Sequence, residues 1–349
     1  MRAITVSPGV ANSARLDDVP APPPSDGAIL VRTLALGICG TDREIVAGEY
    51  GWTPPGEKRL VLGHESLGRV EEAPKESGFA PGDLVVGVVR RPDPVPCPAC
   101  AAGEWDMCRN GRYVERGIKE RHGYGAEQFR IEPDFAIKLD PALGILGVLV
   151  EPTSIVAKAW DHTERIGARS RAWRPRTLLV TGAGPIGLLA ALMGMQRGLE
   201  VHVLDHSPTG PKPARVKELG AAYHADIKAL DGFAPDILIE CTGAPTLIRD
   251  MLGRTAPDGI VCLAGVTAPG HALDFDIGGF NRTMVLGNET VFGTVNANRR
   301  HYEMAADALA HADKHWLARL ITRRVPVEQW AQALENRPDD VKVIIDFAA

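Results

Sequence analysis

A lone cysteine between glycines, in Gly37-Ile-Cys-Gly-Thr-Asp42, is followed by a histidine–glutamate pair in Gly63-His-Glu65. Together they offer a thiolate, an imidazole and a carboxylate. This is a borderline-soft donor set, suited to zinc. A catalytic zinc takes three protein ligands and keeps one position open for water or substrate. Cys39 and His64 supply two, and Glu151 in Val150-Glu-Pro152 is the candidate third. Glu65 either supports the ligands from behind or exchanges as one. A lone cysteine is more often a small buried hydrophobe, and a His-Glu pair is commonly surface. The glycines favour metal, because ligands on tight turns can converge.

A second group, Cys97, Cys100 and Cys108, lies in a proline-rich stretch from Pro92. Its spacing is that of a small structural zinc lobe, a type of site usually closed by four ligands. Pro94 stands where a C-x2-C-x2-C-x7-C pattern would put the first cysteine. Asp93, next to it, could supply an oxygen instead. The alternative is a metal-free lobe with three leftover thiols.

The third constellation is a glycine-rich turn. Thr177–Thr181 reads as a buried strand, Gly182-Ala-Gly-Pro-Ile-Gly187 follows at once, and Leu188–Arg197 reads as an apolar helix. A following strand ends in Asp205, eighteen residues after Gly187. That context makes the pattern a dinucleotide site: the glycines permit a tight turn and close approach to a pyrophosphate, and the helix N-terminus favours its charge. A carboxylate at Asp205 can accept both ribose hydroxyls, which favours NAD, and would repel a 2′-phosphate. Ser207, Lys212 and Arg215 can partly offset that repulsion, so NADP use stays open.

These residues must be held by two kinds of element. Residues 1–90 show period-two strands and turns, from Ala28–Ala35 leading to the cysteine turn to Pro81–Val89. The second half alternates strand and helix, which implies a parallel, doubly wound sheet. Cys241 and Cys262 fall in its strands and read as core. Val341–Ile345 is a last strand returning to the first domain.

With 349 residues, two domains are expected. A net charge of −5 gives a nucleic-acid partner no electrostatic support. No apolar run is long enough for a membrane span, and the N-terminus lacks the apolar core of a secretory signal. Six cysteines do not make a disulfide scaffold at this length, and the clustering of three of them indicates metal in a reducing compartment, the cytoplasm.

Taken together, the chain resembles the zinc-dependent medium-chain dehydrogenases over essentially its full length, and most closely their glucose 1-dehydrogenase branch. The general signals are Cys39-Gly-Thr-Asp42, Gly63-His-Glu65, Glu151-Pro152, the glycine turn and Cys241-Thr-Gly243. Branch signals are Thr41–Ile45, Val89-Arg-Arg-Pro92, Glu115-Arg-Gly-Ile118 with His122-Gly123, and Val295-Asn-Ala-Asn298 before His301-Tyr302. The resemblance implies an α/β protein: a GroES-like, mainly-β catalytic domain (1–155, with 309–349 returning to it) and a Rossmann domain (156–308). It implies a substrate hydroxyl bound by zinc, a proton relayed by Thr41, and a hydride passed from a sugar carbon to nicotinamide, with Glu65 beside the metal. It implies cofactor contacts from Gly182, Gly184, Pro185, Ile186, Gly187, Asp205, His206, Ser207, Thr242, Gly243, Val295 and Asn296. It places Glu115, His122, Asn298 and His301 around the sugar. The expected substrate is an aldose oxidised at C1 to a lactone; alternatives are a polyol, amino sugar or cyclitol of a biosynthetic pathway, and a non-catalytic or metal-free reductase-like relative. The expected partners are such a small molecule and further copies of the chain, as a dimer or tetramer.

Overall fold

The computed structural model describes residues 1–268 and 270–348. Its contacts divide the chain into two units, Met1–Ser154 with the residues from Asn296 onward, and Ile155–Val295.

The first unit is built on a seven-stranded sheet. Ile29–Ile38 is its long central strand, flanked by Glu65–Glu72 on one side and Lys342–Asp346 on the other, both antiparallel to it. Alternation along these strands packs Val31, Leu36, Val70, Val343 and Ile345 into one apolar core. The pairing also sets the site: Gly37 lies opposite Glu65, and a Cβ on Gly37 would sit 2.0 Å from Glu65 Oε2. Only glycine leaves room for that carboxylate.

The second unit carries a six-stranded, all-parallel sheet. Its strands, in spatial order, are Ala222–His224, Glu200–Leu204, Thr177–Thr181, Ile237–Glu240, Ile260–Leu263 and Thr290–Gly293. That is the doubly wound order expected of a dinucleotide-binding sheet. Leu179, Leu238 and Val261 are buried on one of its faces.

Two expectations are corrected. The chain returns to the first unit at Asn296, not at 309. The helix Arg299–Ala310 belongs there: Arg299 donates to the carbonyls of Asp134 and Ala136 at 2.9 and 3.1 Å, and buried Tyr302 accepts from Val89 N at 3.3 Å. Helical periodicity shows an apolar face but not which unit covers it. Also, one helical run, Pro141–Gly167, does reach the length and hydropathy of a membrane span, but 78% of that window is buried within the protein, as in a core helix.

Candidate functional site

Cys39 ends the central strand and opens the helix Gly40–Ala47. Its N–H donates to Asp42 Oδ2 at 2.9 Å, so the carboxylate three residues on fixes the turn that presents the thiol. Thr41 lies in the same first turn, half-buried. His64 follows the short strand Leu60–Val61, and its turn is backed by residues 123–125. There, Gly123 N and Gly125 N donate to the carbonyls of Val61 and Leu62, and Tyr124 N donates to that of Gly63.

These elements bring Cys39 Sγ and His64 Nε2 to 3.1 Å. Cys39, His64 and Glu65 form a group whose ligand atoms all lie within 4.8 Å of one another. His64 Nδ1 faces Asp42 Oδ1 at 3.4 Å. A carboxylate there holds the imidazole proton on Nδ1 and leaves the Nε2 lone pair for a metal. Glu65 is gripped from behind: Lys342 Nζ donates to Oε1 and Oε2 at 2.7 and 2.6 Å. Glu151, in the first turn of the helix Val150–Gly167, is buried and is not part of that tight group.

Asp42 and Glu65 are buried around the Cys39–His64 pair, and Glu151 is buried within electrostatic reach of His64 and Glu65, with Lys342 and His64 as the cationic groups. Burial opposes charge on His64, but Cys39 and Asp42 outweigh it and raise its pKa well above the ordinary value. Burial pushes Glu151 up to about 7, with Glu65 adding to the rise. A buried set this rich in anionic donors is completed by a dication, and thiolate, imidazole and carboxylate suit zinc. The residues therefore fit a catalytic zinc.

A polar network adjoins the site. Tyr302, which senses the charge of Glu151, contacts Val89 N, and Arg90 is the next residue. Arg90 donates to Glu115 Oε1 from Nε and Nη2 at 3.1 and 3.0 Å, and lies 3.6 Å over the ring of Tyr113. Asn296 Nδ2 also donates to Glu115 Oε1, and Asn298 Nδ2 to Asp106 Oδ1 at 2.7 Å. Asn298 Oδ1 is buried with no hydrogen-bond partner among the described residues. His301, fully buried at the start of its helix, accepts from Asn298 N at 3.2 Å.

His122 does not join this network. Its Nδ1 accepts from Val61 N at 3.1 Å and its Nε2 meets Glu57 at 2.8 Å. It braces the strand before His64, with both ring nitrogens engaged there. Asp93 is likewise engaged: Oδ1 accepts from Val95 N at 2.8 Å, and Oδ2 from Asn110 Nδ2 at 2.8 Å and Arg112 Nε at 3.3 Å. Both its oxygens are thus engaged, and among the described residues it does not join the ligand group of Cys97, Cys100 and Cys108.

In the second unit, Gly182 has φ +91°, and a Cβ on Gly187 would fall 1.8 Å from Gly182 O. The turn accordingly needs both glycines. Nothing lies within 4 Å of a Cβ built on Gly184, the residue that opens the helix starting at Pro185 and Ile186, which leaves space for a pyrophosphate against the helix N-terminus. Buried Glu240 fixes the neighbouring turn by accepting from Thr242 N at 2.7 Å and Gly243 N at 3.1 Å. Asp205 is more occupied than its position suggests. Oδ2 accepts from Ala183 N at 2.8 Å and Oδ1 from Ser207 N at 2.9 Å, with Lys212 Nζ at 4.0 Å. Burial opposes its ionisation, but those two N–H groups outweigh it, so the carboxylate is charged. His206 is exposed, and the Val295 carbonyl accepts from Lys158 Nζ at 2.9 Å.

Sequence reasoning missed Lys342, Asp42 as a histidine partner, and Arg90. Asp42 has a local signal, the three-residue capping spacing from Cys39. Lys342 has a weaker one, a lone cation in the apolar strand Val341–Ile345.

Comparison with known proteins agrees with this geometry. Residues 25–141 match the alcohol dehydrogenase GroES-like domain and residues 144–347 the glucose dehydrogenase C-terminus. A glucose 1-dehydrogenase of Methanocella arvoryzae is 39% identical, covering all of both chains. One of Thermoproteus tenax is also 39% identical, covering 99% of both. Among solved structures, the Haloferax mediterranei glucose dehydrogenase in complex with NADP, zinc and gluconolactone superposes with a TM-score of 0.91, at 33% identity over the whole of both chains.

Proposed function

From its membership of the zinc-dependent medium-chain dehydrogenases, in the glucose dehydrogenase branch to which this chain belongs, we propose that it oxidises the C1 hydroxyl of an aldose to a lactone and reduces NAD(P). One observation carries the reading: a single unit holds both the Cys39–His64 pair, 3.1 Å apart, and the buried polar network of Arg90, Glu115, Asn296 and Asn298. Polar groups taken out of water must find partners, and a ligand with several hydroxyls supplies them.

Cys39 and His64 would hold the zinc with Glu151 as third ligand, while Glu65, gripped by Lys342 and within reach of the same two ligands, would support them or exchange as one. When bound, zinc supplies the Lewis acidity that lowers the pKa of a substrate hydroxyl, and nicotinamide accepts the hydride. Asp42 orients His64. Thr41 Oγ1 takes the departing proton towards solvent. Glu115 Oε1 is saturated by Arg90 and Asn296, so Oε2 is the oxygen that receives sugar hydroxyls. Asn298 Oδ1 supplies a second acceptor. Gly184 and the helix behind it take the pyrophosphate, and Asp205 faces the adenosine ribose.

Six free cysteines among the described residues fit a reducing, cytoplasmic setting. Ile277, Val285 and Leu286 are exposed on the helix preceding the edge strand Thr290–Gly293, which supports a homo-oligomer. The test of the metal assignment is Cys39→Ala and His64→Ala. Each should lose zinc and activity together. Full activity in a zinc-free preparation overturns it.

A further inference from the structure

The lobe from Pro92 to Arg112 carries three cysteines that its family relationship would read as a structural zinc site. The sulfurs of Cys97, Cys100 and Cys108 do converge, all within 4.8 Å of one another. A structural zinc, however, is closed by four protein donors, and an open fourth position belongs to catalytic sites. Among the described residues no further histidine, cysteine or carboxylate joins the three sulfurs.

Asp93 is the one carboxylate positioned by sequence to complete the set, and its hydrogen bonds point elsewhere. Its side chain is 1% exposed. One oxygen accepts from Val95 N, the other from Asn110 Nδ2 and Arg112 Nε. Asn110 Nδ2 reaches on to Val95 O at 3.2 Å. These bonds join the segment entering the lobe to the segment leaving it, which is the crosslink a structural metal provides. The Arg112 guanidinium on the same carboxylate also disfavours a second cation there.

We infer that this lobe folds without a structural metal, the Asp93 carboxylate tying its two ends together and the three cysteines standing unligated. The catalytic zinc is then the protein's sole zinc, and the lobe's stability resides in Asp93.

The experiment uses the zinc-replete enzyme and compares wild type, the triple variant Cys97→Ser/Cys100→Ser/Cys108→Ser, and Asp93→Ala. Zinc is measured by elemental analysis and stability by thermal unfolding. The expected wild-type content is about one zinc per chain. The triple variant should keep that zinc and melt within about 2 °C of wild type, whereas Asp93→Ala should keep the zinc and melt lower by on the order of 5 °C. A wild-type content near two, with one equivalent lost in the triple variant, overturns the inference. So does loss of zinc in Asp93→Ala. Should the triple variant fail to fold, the single change Cys108→Ser, at a half-buried position, gives the same reading: unchanged zinc supports the inference and a lost equivalent refutes it. Loss of the catalytic zinc in Cys39→Ala concerns the proposed active site and leaves this comparison intact.

Discussion

Lys342 Nζ lies 2.7 and 2.6 Å from the two carboxylate oxygens of Glu65, and the side chains of both residues are at most 2% exposed. Breaking a buried pair by removing one partner leaves the other charge stranded, at about 3–5 kcal/mol. Lys342→Met should cost about that much in denaturant unfolding, and adding Glu65→Gln should restore part of it. A loss below about 1 kcal/mol would show that the pair is no more than a surface ion pair in effect.

How much of this was legible in the sequence depends on the range of the signal. Cys39, His64 and the turn from Gly182 to Gly187 announce themselves because ligand type and glycine spacing are local. The parallel, doubly wound sheet of the second unit follows from its alternating pattern. Lys342 and Glu65 are 277 residues apart, and only the pairing of both their strands with Ile29–Ile38 makes them neighbours. His122 and Asp93 carry the right chemistry for a ligand, but a nearby backbone N–H and neighbouring side chains claim their polar atoms. Spacing cannot reveal such local competition.

The acid limb of stability should run through Glu132. Burial opposes its ionisation, but Arg91 and then Arg121 outweigh it and hold the carboxyl at about 2, against an ordinary 4.5. A lowered folded-state pKa stabilises the protein above the unfolded value and loses that contribution as pH falls. Wild type should therefore exceed Glu132→Gln in stability at neutral pH, with the gap closing between pH 4.5 and about 2. A gap unchanged down to pH 2 would contradict the assignment.

Glu115 and Arg90 should separate sugar binding from cofactor binding. Glu115→Gln weakens acceptance of two neighbouring hydroxyls, and KM for the sugar should rise by about tenfold, equivalent to roughly 1.4 kcal/mol, with KM for the cofactor nearly unchanged. Arg90→Met frees the carboxylate to swing and should raise sugar KM in the same direction. Equal effects on sugar and cofactor would point to a general structural role.

Asp205 should set cofactor preference. In the proposed cofactor site its charged carboxylate would repel a 2′-phosphate, partly offset by Lys212 at 4.0 Å. We expect a higher kcat/KM with NAD than with NADP. Asp205→Ala should shift the ratio towards NADP, but it also removes the acceptor for Ala183 N, so NAD binding should weaken too. A wild type strongly preferring NADP refutes the reading.

The most direct measurement is kcat/KM for D-glucose against simple primary alcohols, ethanol and benzyl alcohol, in the zinc-loaded enzyme. A pocket whose polar groups stay unpaired around an apolar alcohol should reject it. The account predicts that glucose exceeds both alcohols by at least about a hundredfold and that the product is the lactone. Faster turnover of ethanol or benzyl alcohol than of any sugar or polyol would contradict it.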